Sequence, residues 1–333
     1  EIPLDWEIKE LKKVIMEFIV PMRDKPKVFD GNMPWCKIED IIGKYLYDTK
    51  NKQYVSDKTI REMNLKIHPI GTVLCSCSAS IGTYAIVKRP LTTNQTFIGL
   101  VPSQAIKTDY LYYCMKNNTK RLKKVASGTT IPYISRDKFE KFKIVVPLLK
   151  EQQKIASILS TVDQHIEETE ALIQKTKELK KGLMQKLLTK GIGHTEFKKT
   201  EVGEIPVEWE VKKIANIFSI NTKAIKPYEN EKKVFLHYSL PAFDEKGEPV
   251  YQEGNEIRSN KYLIENDSIL VSKLNPRIKR IWHVLHEDTS IQICSTEFIN
   301  YIPRHKFVNL DFYYQYFSSD KFQKELLLRE AGS

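Results

Sequence analysis

The sequence contains no apolar run approaching the ~20 residues that a membrane span needs. Its opening, EIPLDWEIKE, has neither the basic n-region nor the apolar h-region of a secretory signal. A cytoplasmic location is therefore expected. Cysteine is scarce: Cys36, Cys75, Cys77, Cys114 and Cys294 form an odd, scattered set, which argues against a disulfide framework and for free thiols in a reducing cell. Cys75 and Cys77 stand two apart on a strand-like run and would face the same side. No second Cys or His pair stands at ligand spacing, so buried small residues are favoured over a metal site.

The marks of catalysis are missing too. There is no GxxxxGKS/T loop for nucleotide phosphates, which argues against a motor. Asn275-Pro276 begins like an amino-methyltransferase motif, but Arg277 and Ile278 replace the proline and aromatic residue that would grip a flipped base. No glycine-rich cofactor loop precedes it. Glu231 with Lys233 and Glu178 with Lys180 fit the Glu-x-Lys of metal-dependent nucleases, yet such triplets arise freely in a chain this rich in Glu and Lys. His68, His165, His194, His237, His283, His286 and His305 show no paired ligand spacing beyond His283 and His286. No catalytic residue, metal or cofactor is assigned to the chain. A methyltransferase or nuclease with its own active site is the weaker, rival reading, and a scaffolding protein with a basic face is a third.

What is present is enough for two packed domains: 333 residues, 41% hydrophobic and 29% charged. The net charge of +11 points to an anionic partner, and it is unevenly spread. Residues 1–147 carry +10, residues 148–199 carry +3 and residues 200–333 carry −2.

The chain also repeats itself. EIPLDWEIKEL at Glu1–Leu11 returns as EIPVEWEVKKI at Glu204–Ile214, with Pro3/Pro206 and Trp6/Trp209 identical. GTVLCS (71–76) parallels DSILVS (267–272), and NQTFIGLVP (94–102) parallels STEFINYIP (295–303). DYLYYCM (109–115) parallels DFYYQYF (311–317), both read as aromatic helices behind an Asp cap. Four blocks in one order, at offsets of 196 to 203, indicate two copies of one mixed α/β domain. Ser127, Gly128 and Thr129 against Ala331, Gly332 and Ser333 extend the match to the endings. Trp6 and Trp209 are expected to be core anchors of their copies.

Between the copies, Leu149 to about Lys190 holds no proline and one glycine, Gly182. This predicts a single helix on the order of 60 Å long. Ile155, Val162 and Leu183 share one heptad position, and Leu159, Ile166, Ile173 and Leu187 another, giving a coiled-coil-type apolar seam for subunit packing. Thr169, Thr176 and Lys180 interrupt it. Taken alone the helix suits a dimerisation coiled coil equally well. Between two like domains it suits a spacer that holds two readers at a fixed separation.

Four stretches resemble the specificity subunits of type I restriction-modification systems: GTTIPYIS (128–135), FKIVVPLLKEQQKIASILSTVDQHIEET (142–169), LKKGLMQKLLTKGIGHTEFK (179–198) and GEIPVEWEV (203–211). One departure is that Pro147 is followed by Leu148 and Leu149, where members often carry a second proline. The resemblance implies target-recognition domains at 1–147 and 201–333 joined through a spacer helix and linker at 148–200. Each domain would bind one half of a bipartite site on double-stranded DNA, and the different loops at equivalent positions of the two copies (76–84 and 272–283) point to different half-sites and so to an asymmetric target. It implies methyltransferase subunits, two of them, which bind S-adenosylmethionine, and restriction-translocase subunits as partners. It also implies a second spacer helix packed antiparallel on the first, which would come from beyond Ser333 or from another chain.

Base reading needs directed donors and acceptors, and affinity comes from Lys and Arg on phosphates. In the second copy SKLNPRIKRIWH (272–283) sets Lys273, Arg277, Lys279 and Arg280 beside Asn275 with no acid among them. The corresponding loop of the first copy, SCSASIGTY (76–84), offers Ser78 and Ser80, with Lys88 and Arg89 just after. A stretch with Lys44, Tyr45, Lys50, Lys52 and Gln53, and another with Thr129, Thr130, Tyr133 and Arg136, complete the candidates. For each, the alternative is an ordinary solvated turn.

Overall fold

The computed structural model describes residues 2–78, 80–128, 132–287 and 289–330, with 329 and 330 described by backbone alone. The chain divides into two units, residues 1–170 and 171–333, and the division falls inside one helix.

The first unit holds strands β1 (Glu7–Glu10), β2 (Ile15–Ile19), β3 (Met33–Cys36), β4 (Tyr45–Leu46), β5 (Tyr54–Val55), β6 (Ile67–His68), β7 (Val73–Ser76), β8 (Tyr84–Val87), β9 (Leu91–Thr93), β10 (Phe97–Pro102) and β11 (Lys143–Val146). Its helices are α1 (Asp57–Glu62), α2 (Thr108–Asn117), α3 (Thr119–Val125) and α4 (Arg136–Glu140). One sheet has the order β2-β10-β7-β8-β4, a second β5-β3-β9-β6, and β1 pairs with β11. Strands β7 and β8 are buried throughout, because each of their faces meets another layer. Val73, Cys75, Tyr84 and Ile86 pack with Tyr110, Leu111 and Met115 of α2. Leu74, Ala85 and Val87, pointing the other way, pack with Cys36 of β3 and Leu91 of β9. A Cβ at Gly99 would lie 2.4 Å from His68 Nδ1, so the close approach needs glycine. His68 is wholly buried, its Nε2 lies 3.0 Å from Thr93 Oγ1, and burial pushes its pKa down to about 3.

Helix α5 (Leu149–Lys190) runs unbroken for 42 residues, as its lack of proline predicts. It ends where Gly191 adopts φ +61° and its N–H donates to Leu187 O at 3.1 Å, a glycine C-cap. The first unit grips its opening turns through polar side chains. Gln152, wholly buried, accepts from Lys107 N at 2.8 Å and donates to the carbonyls of Pro147 at 2.8 Å and Ala105 at 3.2 Å. Lys44 is buried rather than displayed: its ammonium meets Ser160 Oγ and Asp109 Oδ1, each at 2.7 Å. Of the expected seam, Ile155 packs on the first unit's core, whereas Leu159, Val162, Ile166, Ile173, Leu183 and Leu187 are 39 to 50% exposed.

The second unit holds strands β12 (Phe197–Thr200), β13 (Gly203–Pro206), β14 (Phe218–Asn221), β15 (Ala224–Ile225), β16 (Val234–Tyr238), β17 (Val250–Glu253), β18 (Lys261–Ile264), β19 (Ser268–Ser272), β20 (Ile281–Val284), β21 (Ile291–Ser295) and β22 (Phe298–Pro303). Its helices are α6 (Ile214–Ile217), α7 (Leu240–Glu245), α8 (Leu310–Phe317) and α9 (Asp320–Glu330). One sheet runs β14-β22-β19-β20, matching β2-β10-β7-β8 strand for strand. The other runs β15-β18-β21-β16-β17, and its last four strands match β6-β9-β3-β5. In both copies the central pair of that second sheet is parallel, β3 with β9 and β16 with β21. Within these two sheets the repeat is one fold used twice, with β4 and β15 as private additions.

Three expectations need correction. Trp6 and Trp209 are half-buried and do not sit in the cores. Trp6 Nε1 donates to Glu151 Oε2 at 2.9 Å on the first turn of α5, and Trp209 packs beside His194 and Gly191 just past the last turn. The aromatic helices are not capped by Asp109 and Asp311, which lie one residue inside. Lys107 precedes α2 without a side-chain cap, and Asn309 caps α8 by accepting from Phe312 N at 2.8 Å. The shared opening motif also folds in two ways: Glu7–Glu10 is a strand because β11 lies beside it, whereas residues 210–213 form none. All five cysteines are free and buried. No helix of the described residues is long and apolar enough to cross a membrane.

Candidate nucleic-acid interface

In the second unit the basic island forms the turn between β19 and β20. Lys273 N donates to Glu297 O at 2.8 Å and Ile278 N to Asn275 O at 3.0 Å, while Asn275 takes a left-handed φ of +47°. The turn displays its side chains unequally. Lys273, Asn275 and Arg277 are exposed, and no ion pair holds either cation among the described residues. Arg280 is bound bidentately to Asp244 of α7, Nε to Oδ1 at 2.7 Å and Nη2 to Oδ2 at 2.8 Å. The hydrogen bond to Arg280 holds the Asp244 carboxyl below its usual range. Lys279 Nζ lies 2.5 Å from Asp320 Oδ1, and Lys181 Nζ lies 3.0 Å from Asp320 Oδ2. Hydrogen bonds from these two ammonium groups hold Asp320 at about 2. The structure thus divides the island into free side chains, Lys273, Asn275 and Arg277, and two that tie the turn to its own domain.

The equivalent loop of the first unit joins β7 to β8. Ser80 is exposed, and Ser78 forms an isolated β-bridge with Tyr133. Ile134 N donates to Cys77 O at 2.8 Å, and Tyr133 and Ser127 exchange two backbone bonds of 2.8 Å. Lys138 donates to Val125 O at 2.6 Å and to the Ser127 hydroxyl. These bonds bring Ser78, Ser80 and the exposed Tyr133 to one end of the sheet; Thr129 and Thr130 lie outside the described residues. Arg136 stands on α4, paired with Glu140 at 2.7 Å.

Helix α3 packs directly behind that loop. A Cβ on Gly82 would meet Thr119 Cγ2 at 2.9 Å and Lys123 Cε at 3.9 Å, and Tyr84 Oη bonds Thr119 Oγ1 at 3.0 Å. Lys120, Arg121, Lys123 and Lys124 on α3 are all exposed. Sequence reasoning passed over this helix, although four cations in five residues without an acid were the available signal.

The remaining candidates gather at the opposite end of β8. Arg89 meets Asp48 Oδ2 at 3.3 Å and Asn32 O at 2.8 Å, and Lys88 Nζ lies 4.5 Å from the Tyr45 ring centroid. Lys50 is exposed with its N–H on Asp40 Oδ1 at 2.7 Å. Lys52 is exposed with φ +52°, and the backbone carbonyl of Gln53 accepts from Trp35 N at 2.8 Å.

Comparison with known proteins agrees with this architecture. The chain is 31% identical over 253 residues to the type I restriction enzyme MjaIX specificity subunit of Methanocaldococcus jannaschii, covering 71% of this chain and 58% of that protein. It is 31% identical over 229 residues to the MjaVIII specificity subunit of the same organism, covering 66% and 51%. The chain therefore spans little more than half the length of these relatives. The crystal structure of a type I restriction-modification S subunit from M. genitalium shares the fold with a TM-score of 0.55 at 15% identity, over 98% of this chain and 80% of that one. The family model described as the type I restriction modification DNA specificity domain matches residues 3–180 and again residues 206–332, so the chain belongs to the type I restriction-modification DNA specificity family.

Proposed function

We propose that this chain is the sequence-reading component of a type I restriction-modification assembly, acting in the cytoplasm and catalysing nothing itself. Each domain reads one half of a two-part duplex site, and α5 sets the gap. The observation that carries this reading is the repetition of one two-sheet fold with different chemistry on the equivalent turns. A matched pair of scaffolds with unmatched tips suits an asymmetric target.

In the second domain Lys273, Asn275 and Arg277 contact DNA, with Arg277 the base reader, while Lys279 and Arg280 brace the turn. In the first, Ser78, Ser80 and Tyr133, with Thr129 and Thr130 nearby in sequence, approach bases, and α3 supplies the phosphate contacts. Lys50, Lys52, Gln53, Lys88, Arg89 and Arg136 serve the flanking backbone. The domains run through 1–147 and 201–333, with 148–200 as spacer and linker. A second helix covers the open seam of α5, and two methyltransferase subunits and the restriction-translocase subunits dock on the assembly.

Methylome sequencing of cells expressing the chain with its methyltransferase tests this. One asymmetric, two-part methylated motif is expected, and inserting a heptad into α5 should lengthen its gap. Absence of a motif, or a gap that ignores the insertion, overturns the reading.

A further inference from the structure

The second unit contains a cavity of about 650 Å³ beside α7, at the carboxyl ends of the parallel strands β16 and β21. Strand ends of this kind open crevices in α/β sheets. Two buried polar side chains line it. His237, the fourth residue of β16, is 7% exposed. Its Nδ1 lies 2.6 Å from Gln252 Oε1, while its Nε2 is buried without a hydrogen-bond partner. Lys261, which opens β18, is 6% exposed. Its ammonium donates to Ser259 Oγ at 2.5 Å, Ser259 O at 3.3 Å and Asn260 O at 3.4 Å, and no carboxylate pairs with it among the described residues.

An ammonium buried without a counter-ion is costly, as is an imidazole nitrogen buried without a partner. Burial pushes the Lys261 pKa down accordingly. The acids on the cavity wall do not relieve it: Glu245 and Glu256 are exposed, and Glu256 accepts from Glu253 N at 3.1 Å. Arg258, also lining the cavity, is exposed and adds a second cation. Turning the Gln252 amide over would let it donate to Nδ1, so that Nε2 carries the imidazole proton into the cavity.

We propose that this cavity binds a phosphoryl group, held by Lys261 and Arg258 as charge partners and by His237 Nε2–H on a further oxygen. A tetrahedral oxyanion has the several acceptors that this donor set requires. The cavity also adjoins the basic turn, since α7 is tied to Arg280 through Asp244 and Lys273 N bonds Glu297 O, two residues past Ser295 on the cavity wall. The phosphoryl group therefore comes either from a DNA backbone or from a free nucleotide or phosphate ion. The site's chemistry stands whether or not the chain reads DNA.

The test is a titration of the full chain, labelled with ¹⁵N-histidine, at constant ionic strength. The titrants are inorganic phosphate, AMP and a short duplex, and the His237 signals are assigned with His237→Gln. Saturable movement of the His237 ring signals with phosphate is expected, with Lys261→Met weakening it at least about tenfold and Lys261→Arg restoring it. Movement with the duplex at concentrations about a hundredfold lower than with phosphate assigns the DNA backbone as source. Movement with phosphate and AMP but not with the duplex assigns the free ligand. Ring signals unmoved by all three, or phosphate binding undiminished in a folded Lys261→Met chain, overturns the proposal. The wild-type titration decides the matter even where the variants fail to fold.

Discussion

Gly99 and Asn300 occupy the same place in the two domains, opposite Leu74 in the centre of β10 and opposite Leu270 in the centre of β22. In the first domain glycine leaves room for the buried imidazole of His68. In the second the Asn300 side chain is itself wholly buried there, with neither amide atom in a hydrogen bond. The outer surfaces differ in the same paired way. The first domain has a neutral β7–β8 loop backed by the basic helix α3, and the second has a basic β19–β20 turn backed by α9, whose Asp320 draws Lys279 inward. Strand order and register are common property, and what fills a position or carries charge is not. The scaffold can therefore keep its geometry while its surface chemistry changes.

The sharpest way to break the comparison is to exchange the interior residues. Gly99→Asn would place a Cβ 2.4 Å from His68 Nδ1 and should cost about 3 kcal/mol or more in urea unfolding. Adding His68→Gly should recover much of it, because it removes the ring that the new Cβ would meet. Asn300→Ala should cost little, since it removes an amide that makes no hydrogen bond. Equal losses for Gly99→Asn and Asn300→Ala would mean that the two positions do not differ in what fills the space around them.

The tips come next. Arg277→Ala should weaken duplex binding by about 1 to 3 kcal/mol and relax selectivity in one half-site only. Arg280→Ala should instead lower thermal stability of the second domain, because it strips Asp244 of its bidentate partner. Asp244→Asn should reproduce that loss. If Arg280→Ala altered base preference with stability intact, the division of the turn into readers and braces would be wrong.

His68 gives the first domain a pH dependence that can be isolated by mutation. Burial holds its folded pKa at about 3, below the ordinary imidazole value of about 6.5, so the unfolded chain binds a proton that the folded one refuses. Stability is then full above about pH 6.5 and falls as pH drops toward 3, by about 1.4 kcal/mol per pH unit. In His68→Asn the slope of urea midpoint against pH should flatten over that range. An unchanged slope would show that other groups carry it.

Legibility in the sequence followed how local each cause is. Helix α5 could be read almost to the residue because a run without proline and a terminal glycine are local facts. The first sheet was visible in the apolar runs VLCS and FIGLVP. The second sheet was not: β6 and β9 are two and three residues long, and Trp35 pairs with Thr92 across a long stretch of chain. The turn at 273–280 was recognised as basic, but the acids that bind Arg280 and Lys279 lie 36 and 41 residues away, beyond any local count of charge. Lys44 looked like a surface cation for the same reason, since Asp109 and Ser160 reach it only in the fold. The tryptophans misled because an aromatic that opens a domain suits the end of a neighbouring helix as well as a core.

The smallest expected effect bears on whether α3 substitutes for the missing cations of the β7–β8 loop. Lys120, Lys123 and Lys124 are exposed and make no ion pair among the described residues. As phosphate contacts each should add about 0.9 to the slope of log binding constant against log salt. Lys123→Gln should lower that slope by roughly this amount, with a similar loss of affinity on every sequence. A control change at Lys324 on α9, the equivalent helix, should leave the slope untouched. If Lys123→Gln altered base preference instead, α3 would be reading sequence, and the two domains would differ in which element reads as well as in where their charge lies.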